Sequence, residues 1–181
     1  MGRSKAAAAS AFILHWLPRL QPVLGTRPRA LDLAMGDGRH TRVLAEAGFH
    51  AFGVDRDYSR VWQARAGLRA SGLDACLWVA DLECYPLGDG HFDLVVCSRY
   101  LQRSLWSALA ALVRPGGFVL YETFTTNQQQ YDWGPRSSDH LLIPGGELRA
   151  AFDGWDVWTY DERREPAAEA QLVARKPLGE R

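Results

Sequence analysis

Cysteine is scarce in this sequence, and the few cysteines show no pattern of a metal or disulfide site. Cys76, Cys84 and Cys97 are the three in 181 residues, an odd number without the close paired spacing of zinc ligands. Such a composition excludes a disulfide-stapled secreted scaffold and favours a reducing compartment. We therefore expect a cytoplasmic protein without a bound metal.

An excess of charge of either sign is also missing. Lys and Arg together number 21, as do Asp and Glu, so the formal net charge is zero. A neutral chain lacks the broad positive field with which non-specific nucleic-acid binders attract phosphates. We therefore expect no nucleic-acid partner, although a local basic site stays open.

Long hydrophobic runs are absent near the N-terminus. The apolar stretch at residues 6–14 is interrupted by Ser10 and is far shorter than the roughly 20 residues that a membrane helix needs. It follows a basic start, as in a weak signal peptide, but no small-residue cleavage site comes after it. Ile13, Leu17 and Leu20 recur at helical spacing, which predicts an N-terminal helix and no membrane partner.

The rest of the sequence alternates short apolar runs with helical patterns, which is typical of an open, mostly parallel α/β sheet. Seven strands are predicted, at residues 30–34, 50–55, 76–80, 92–97, 118–124, 155–160 and 170–175. Helices are expected between the first five strands and on both faces of the sheet. A short polar connection joins the last two strands, which favours an antiparallel hairpin. The length suits one domain over residues 29–181, preceded by a helical cap over residues 1–28.

Two segments of the second half stand out from this alternation. A leucine stripe at helical spacing precedes Pro115-Gly116-Gly117, and this triplet is predicted to end the helix before the fifth strand. Residues 125–138 are polar and have no period. Loops of that length inside a domain are usually functional or disordered, so we expect this stretch to become ordered when a ligand binds.

Glycines and acids follow the first three predicted strands, at the edge where parallel sheets bind ligands. Gly36 and Gly38 lie before the first helix, where a missing Cβ and free N–H groups favour a ligand. Asp55 ends the second strand and can accept hydrogen bonds from both hydroxyls of a ribose. Asp81, followed by Leu82, suits the edge and face of a purine. A tight turn, a helix cap or a solvated strand end explains each feature alone, but their combination favours a nucleoside ligand.

A dinucleotide cofactor fits this loop less well. Its fingerprint needs Gly or Ala three residues after Gly38, where this chain has Thr41. A nicotinamide oxidoreductase is therefore only a minor alternative.

With these motifs in place, the chain resembles the class I S-adenosylmethionine-dependent methyltransferases over residues 29–176. Residues 32–38, Asp55, Asp81-Leu82 and residues 92–98 are similar to the family's four motifs in order. Leu112-Val113-Arg114-Pro115-Gly116-Gly117 is similar to the turn that precedes the family's fifth strand. Three further segments resemble the tellurite-resistance branch: residues 38–40, 145–148 and 172–176.

The resemblance implies a Rossmann-like fold and methyl transfer from S-adenosylmethionine to a small-molecule acceptor by in-line displacement. The methionyl part of the cofactor would lie against the loop after the first strand, although the family usually has glycine at Ala34 and Cys or Gly at Met35. The nucleoside would be held by the acids at the next two strand ends and by the residues beside them. The implied cofactor-binding set is Asp32, Ala34, Met35, Gly36, Gly38, Arg39, Asp55 (ribose hydroxyls), Arg56 (adenine), Asp81 (adenine amino group), Leu82 (backbone N–H to the ring), Ser98 and Arg99 (sulfonium and amino-acid end).

The sequence does not identify a catalytic residue. Transfer from an activated sulfonium depends mainly on alignment, and a base is needed only when the acceptor arrives protonated. The candidates near the acceptor are Arg99, Tyr100, Tyr131, Arg136 and His140. Arg103 and Trp133 are further candidates, and all of these residues also fit surface pairing, local packing or solvation. A non-catalytic S-adenosylmethionine-binding sensor or partner subunit therefore stays as the alternative function, and the oligomeric state is not predicted.

Overall fold

The computed structural model of the protein describes residues 8–84 and 87–179. The chain divides into two compact units, residues 1–85 and residues 86–181. Among the described residues, no helix combines the length and the apolarity that a membrane crossing requires.

The described part of the first unit, residues 8–84, contains three helices and three parallel strands. In chain order they are α1 (Ala11–Leu24), β1 (Arg29–Leu33), α2 (Arg39–Glu46), β2 (His50–Asp55), α3 (Tyr58–Ala70) and β3 (Cys76–Val79). The strand order is β3-β2-β1, and both neighbouring pairs are parallel. As predicted, α1 buries Ile13, Leu17 and Leu20, none more than 2% exposed.

Over residues 87–179, the described part of the second unit, there are two α-helices and four strands. They are β4 (Phe92–Ser98), α4 (Trp106–Leu112), β5 (Val113–Phe124), α5 (Glu147–Ala150), β6 (Asp156–Arg163) and β7 (Glu169–Arg175), with short 3-10 turns at Arg103–Leu105, Thr126–Gln130 and Ser138–His140. β4 and β5 are parallel, and β7 pairs antiparallel with both β5 and β6. The predicted final hairpin is confirmed, but β7 rather than β6 is the neighbour of β5. The fold class is confirmed: a seven-stranded, mostly parallel sheet with helices around it.

Two sequence predictions about single elements are wrong. Among described residues 80–84 and 87–91 there is no helix between β3 and β4. Pro115-Gly116-Gly117 lies within β5 rather than before it, because α4 already ends at Leu112. The pairing between β4 and β5 shifts register there, and a Cβ on Gly117 would lie 2.8 Å from the Asp93 carbonyl oxygen. The glycine therefore allows an irregular strand start where a helix stop is expected.

The polar stretch after β5 is held in place by its own contacts. Gln128 is fully buried; its amide donates to the Trp133 carbonyl at 3.0 Å and its oxygen accepts from the Ala168 N–H at 2.9 Å. Thr125 forms an isolated bridge to Leu142. This packing gives no support to the expectation that the stretch becomes ordered only on ligand binding.

Candidate functional site

The first unit places three predicted ligand features along one edge of its sheet. Leu33 pairs with Val54, and Asp55 pairs with Val79, so the three strands end together. The Ala80 N–H donates to the Asp55 carbonyl at 3.1 Å and extends this alignment by one residue. The loop after β1, the carboxylate of Asp55 and the turn that begins at Asp81 therefore lie at consecutive strand ends.

The loop between β1 and α2 has an unusual backbone. Ala34, Gly36 and Gly38 all have positive φ angles, of 55°, 55° and 73°. For Ala34, which carries a Cβ, the left-handed conformation costs about 1 kcal/mol or more. The Gly36 N–H donates to Oδ2 of Asp55 at 2.8 Å, which ties the loop to the end of β2. Strain of this kind is often retained at binding sites.

Met35 and Gly38 contribute to packing inside the first unit. The Met35 side chain is 4% exposed and belongs to the apolar cluster with Val61 and Leu77. A Cβ on Gly53 would lie 2.3 Å from its sulfur, so a glycine in β2 makes room for it. A Cβ on Gly38 would lie 2.8 Å from the Cβ of Ala64. The absence of a side chain at Gly38 thus lets the start of α2 approach α3.

Asp55 is the half-buried acid of this edge. Its Oδ2 accepts from the Gly36 N–H and its Oδ1 accepts from the Asp57 N–H at 2.9 Å. A carboxylate oxygen has two acceptor positions, so each oxygen can accept a further donor. Arg56 follows with an exposed side chain.

Asp32 faces the interior instead of the edge. It is 1% exposed and accepts two hydrogen bonds from Thr41, from the N–H at 2.8 Å and from the hydroxyl at 2.7 Å. Burial raises the pKa of Asp32 from 3.8 to about 7, although both bonds from Thr41 and the charge of Arg39 lower it. The geometry makes Asp32 a positioning residue that fixes the first turn of α2.

The remaining predicted residues of the first unit differ in exposure. Asp81 is exposed, and its Oδ1 accepts from the Glu83 N–H at 3.0 Å, which orients the carboxylate in a turn. Leu82 is only 6% exposed. The Arg39 guanidinium lies 3.5 Å from the Ala8 carbonyl oxygen, at the start of the segment that leads into α1.

In the second unit, Ser98 belongs to a buried polar network at the carboxyl ends of β4 and β5. Its hydroxyl donates to Oε1 of Glu122 at 2.8 Å, and the amide of Gln171 donates to Oε2 at 3.3 Å. Glu122 is 1% exposed. The network fixes the ends of these strands, and Arg99 is the residue that directly follows β4.

Arg99 follows β4 with a positive φ of 55°. Its N–H donates to the Glu122 carbonyl at 2.8 Å, and its guanidinium lies 5.2 Å from the centre of the Phe124 ring. Its Nε is 3.4 Å from Oε1 of Glu169, which is 2% exposed. Arg163 donates to the other oxygen of Glu169 at 2.7 Å.

The other acceptor candidates are spread over the second unit. Tyr100 hydrogen-bonds Gln102, Tyr131 hydrogen-bonds the Arg164 carbonyl, Arg136 donates to the Gln129 carbonyl, and His140 is exposed. The ring centres of Tyr131 and Trp133 lie 6.1 Å apart, and those of Trp133 and Phe124 lie 5.9 Å apart. Of these candidates, only Tyr131 and Trp133 join a common cluster.

Arg103 is committed to a structural ion pair. Its Nε and Nη2 donate to the two oxygens of Glu147 at 2.5 and 3.0 Å, and Nη2 also donates to the Leu141 carbonyl at 2.9 Å. Although burial raises it, the pKa of Glu147 is held below its ordinary value by hydrogen bonds from Arg103 and from the Ile143 N–H.

The glycine pair before α5 also has a partner. Gly145 and Gly146 donate their N–H groups to Glu162 at 2.9 to 3.0 Å, beside a groove of about 620 Å³. These N–H groups are thereby occupied by the chain's own carboxylate.

Sequence reasoning missed Glu169, Arg163 and Gln128. The only local sign of Glu169 is its position as an acid at the start of the buried final strand. Its pairing with Arg99 joins residues 70 positions apart, which no local pattern reveals.

The comparisons with known proteins agree with this geometry. Residues 30–117 match the family described as "Methyltransferase domain". The chain is 31% identical over 141 residues to the protein named "Ubiquinone biosynthesis O-methyltransferase" of Aromatoleum aromaticum, with 74% of this chain and 59% of that protein covered. It is 30% identical to the protein of the same name from Thiobacillus denitrificans, with 74% and 60% covered. The chain thus spans about three fifths of the length of these curated relatives.

Solved structures share the fold at low sequence identity. An S-adenosylmethionine-dependent methyltransferase from Mesorhizobium loti has a TM-score of 0.72 at 20% identity, with 92% of this chain and 99% of that chain covered. TehB from Haemophilus influenzae has 0.75 at 16%, with 95% and 63% covered. The [4+2]-cyclase SpnF has 0.75 at 17%, with 98% and 85% covered. The matched domain, the relatives and the fold confirm the predicted resemblance to the class I S-adenosylmethionine-dependent methyltransferases and imply S-adenosylmethionine as the cofactor.

Proposed function

We propose that this protein is an enzyme that transfers a methyl group from S-adenosylmethionine to an oxygen atom of a small-molecule acceptor. The observation that carries the proposal is the carboxylate of Asp55, held at the strand edge by the Gly36 N–H and left with further acceptor positions. The choice of oxygen as the accepting atom rests on the names of the curated relatives.

The residues of the first unit fit the nucleoside half of the cofactor. Asp55 would accept hydrogen bonds from the ribose hydroxyls, because one acceptor position on each oxygen is left by its backbone donors. Asp81, oriented by the Glu83 N–H, would accept from the adenine amino group. The loop with positive φ at Ala34 and Gly36 would lie against the methionyl part, where its strain is explained by binding.

Met35 and Asp32 have a different part in this proposal. The side chain of Met35 is buried in the apolar cluster, so only its backbone would face the cofactor. Asp32 would act through Thr41 by fixing the first turn of α2.

The chain's part in the chemistry is alignment. The bound cofactor supplies an activated methyl group on a sulfonium. Residues held by strand ends position the reacting groups, which is worth several kcal/mol when the reacting atoms come within about 3 to 3.5 Å. A base is needed only for an acceptor that arrives protonated, and this proposal assigns none.

The experiment is transfer of labelled methyl from S-adenosylmethionine to a panel of catechols, phenols, carboxylates, thiols and metalloid oxyanions. We expect label in an oxygen acceptor, with thiols and metalloid oxyanions unlabelled. Label in a thiol or metalloid only would reject the oxygen assignment. Binding of S-adenosylhomocysteine without transfer to any acceptor would favour the alternative function, a non-catalytic sensor or partner subunit.

A further inference from the structure

We propose that Arg99 binds an anionic group of the acceptor and that the acceptor is a small aromatic acid whose ring lies against Trp133. This inference rests on the proposed function and names the substrate class of that enzyme. Its basis is a cation with unused donors beside an aromatic cluster in which Trp133 is exposed, both within the second unit.

Arg99 is a positioned cation whose guanidinium donors are unused among the described residues. Its side chain is 43% exposed, and among the described residues its guanidinium donates no hydrogen bond. The ion pair with Glu169 is long, at 3.4 Å, and Oε1 of that carboxylate accepts no hydrogen bond from the described part of the chain. Arg163 has the better contact, a 2.7 Å hydrogen bond to Oε2.

Arg103, in the same unit, is an arginine whose guanidinium donors are used in hydrogen bonds. Three of its donated hydrogen bonds, to Glu147 and to Leu141, are 2.5 to 3.0 Å long. The guanidinium of Arg99 is instead positioned by its ion pair with Glu169 and by the face of the Phe124 ring. Both contacts leave guanidinium N–H groups that can donate to a planar anion. Arginine presents five N–H donors in a fork that matches a carboxylate.

The backbone of Arg99 gives an independent sign of function. Its φ of 55° is the left-handed conformation, which is strained for a non-glycine residue and occurs often at ligand sites. The strain is fixed by the N–H bond to the Glu122 carbonyl. The sequence thus has an arginine at a strand end whose backbone conformation glycine would adopt without strain.

An aromatic cluster lies beside this cation. Phe124 contacts both partners: the guanidinium of Arg99 at 5.2 Å and the ring of Trp133 at 5.9 Å. Those two distances place the guanidinium and the indole at most about 11 Å apart, within the reach of one benzoate-sized molecule. Trp133 is 46% exposed and also packs against Tyr131. An aromatic face of this kind favours a flat ring in offset or edge contact.

The test compares two probes that differ by one carboxylate, 3,4-dihydroxybenzoate and catechol. Equilibrium binding of each is measured by calorimetry with S-adenosylhomocysteine saturating. We expect the wild-type protein to bind 3,4-dihydroxybenzoate at least tenfold more tightly, and Arg99→Met to abolish that preference with little change for catechol. Arg99→Lys, which keeps the charge, should retain part of the preference and serves if the Met variant does not fold. Trp133→Leu should weaken binding of both probes.

The matched control is Arg114→Met. Arg114 is a similarly exposed arginine that pairs with a buried carboxylate, Asp93, at the start of β5 in the same unit. Its loss should leave the preference for the acid unchanged.

Each outcome bears on one claim. Equal binding of the two probes by the wild-type protein, no binding of either, or a preference that survives Arg99→Met would overturn the inference. A fall in S-adenosylhomocysteine affinity in Arg99→Met as large as the fall for the acid would assign the residue to the cofactor and also overturn it. An Arg99-dependent preference without methyl transfer would support the anion site while rejecting the proposed function. Equal methyl transfer to catechol and to 3,4-dihydroxybenzoate would support the proposed function and reject the anion site at Arg99.

Discussion

At the scale of the single residue, Asp55 has one observed structural role and one proposed ligand role. Its oxygens accept the Gly36 and Asp57 N–H groups, so the carboxylate shapes the loop and also, in our proposal, receives the ribose. Asparagine is a more specific substitution than alanine. Its side-chain carbonyl oxygen can still accept from one backbone N–H, whereas the charge and the second acceptor oxygen are lost.

Asp55→Asn is expected to weaken S-adenosylhomocysteine binding by at least about 1.5 kcal/mol, or roughly tenfold in Kd, because a charged acceptor to the ribose is lost. Isothermal titration calorimetry measures the change. Asp57→Asn is the control, since Asp57 caps α3 through Ser59 and Arg60 and lies outside the proposed contacts. A Kd for Asp55→Asn within twofold of the wild-type value would exclude the ribose role.

Asp32 links the same loop to pH. Because its pKa rises from 3.8 to about 7 on folding, the native state binds more protons than the unfolded state between those values. The stabilisation by protonated Asp32 is therefore complete below about pH 4 and is lost as the pH rises to about 7. The free energy of unfolding should fall relative to Asp32→Asn over that range, by at most about 1.4 kcal/mol per pH unit.

Denaturant unfolding of wild-type protein and Asp32→Asn from pH 4 to 8 measures this difference. Thr41→Val is the companion variant. The Thr41 hydroxyl lowers the pKa of Asp32, so its removal should move the dependence to higher pH. A difference between wild type and Asp32→Asn that is constant across the range would contradict the raised pKa.

At the scale of elements, the start of α2 depends on contact with α3. Gly38→Ala would place a Cβ 2.8 Å from that of Ala64, whereas Gly72, with a similar φ of 67°, has open space around it. Gly38→Ala should therefore cost about 1 to 3 kcal/mol more stability than Gly72→Ala, which carries only the backbone strain. Denaturant unfolding compares the two. The excess should shrink in an Ala64→Gly background, and equal losses for both single variants would refute the packing role.

The segment after β5 depends on one buried amide. Gln128→Met would leave the Ala168 N–H and the Trp133 carbonyl without their partner, at a cost of about 1 to 3 kcal/mol for each group that stays buried. Amide exchange over residues 126–142 should accelerate at least tenfold, as hydrogen-exchange mass spectrometry would show. Gln130→Met, on the exposed side of the same turn, should change exchange little. Similar exchange in both variants would mean that other contacts hold the segment.

At the scale of the whole molecule, local sequence patterns predicted the strands and the edge where the acids meet. β2 has the predicted bounds, and Asp55 at its end and Asp81 after β3 lie at neighbouring strand ends as their spacing indicates. Strand ends are readable because hydrophobic periodicity and glycine position are local properties. The proposed contacts of these residues with a cofactor stay predictions.

What the sequence did not reveal depends on contacts between distant segments. The position of β7 beside β5 depends on antiparallel pairing between residues 45 or more positions apart. The inward orientation of the Met35 side chain depends on the space that the missing side chain of Gly53 leaves. The burial of Asp32 and the pair between Arg99 and Glu169 are likewise set by packing. Local propensity contains no information about such neighbours.

A calorimetric titration with S-adenosylhomocysteine, beside one with NADH, tests the central claim most directly. We predict saturable one-to-one binding of S-adenosylhomocysteine and far weaker binding of NADH, because the strand edge of the first unit fits a nucleoside and Thr41 disfavours a pyrophosphate. Absence of binding at saturating S-adenosylhomocysteine, or tighter binding of NADH, would contradict it.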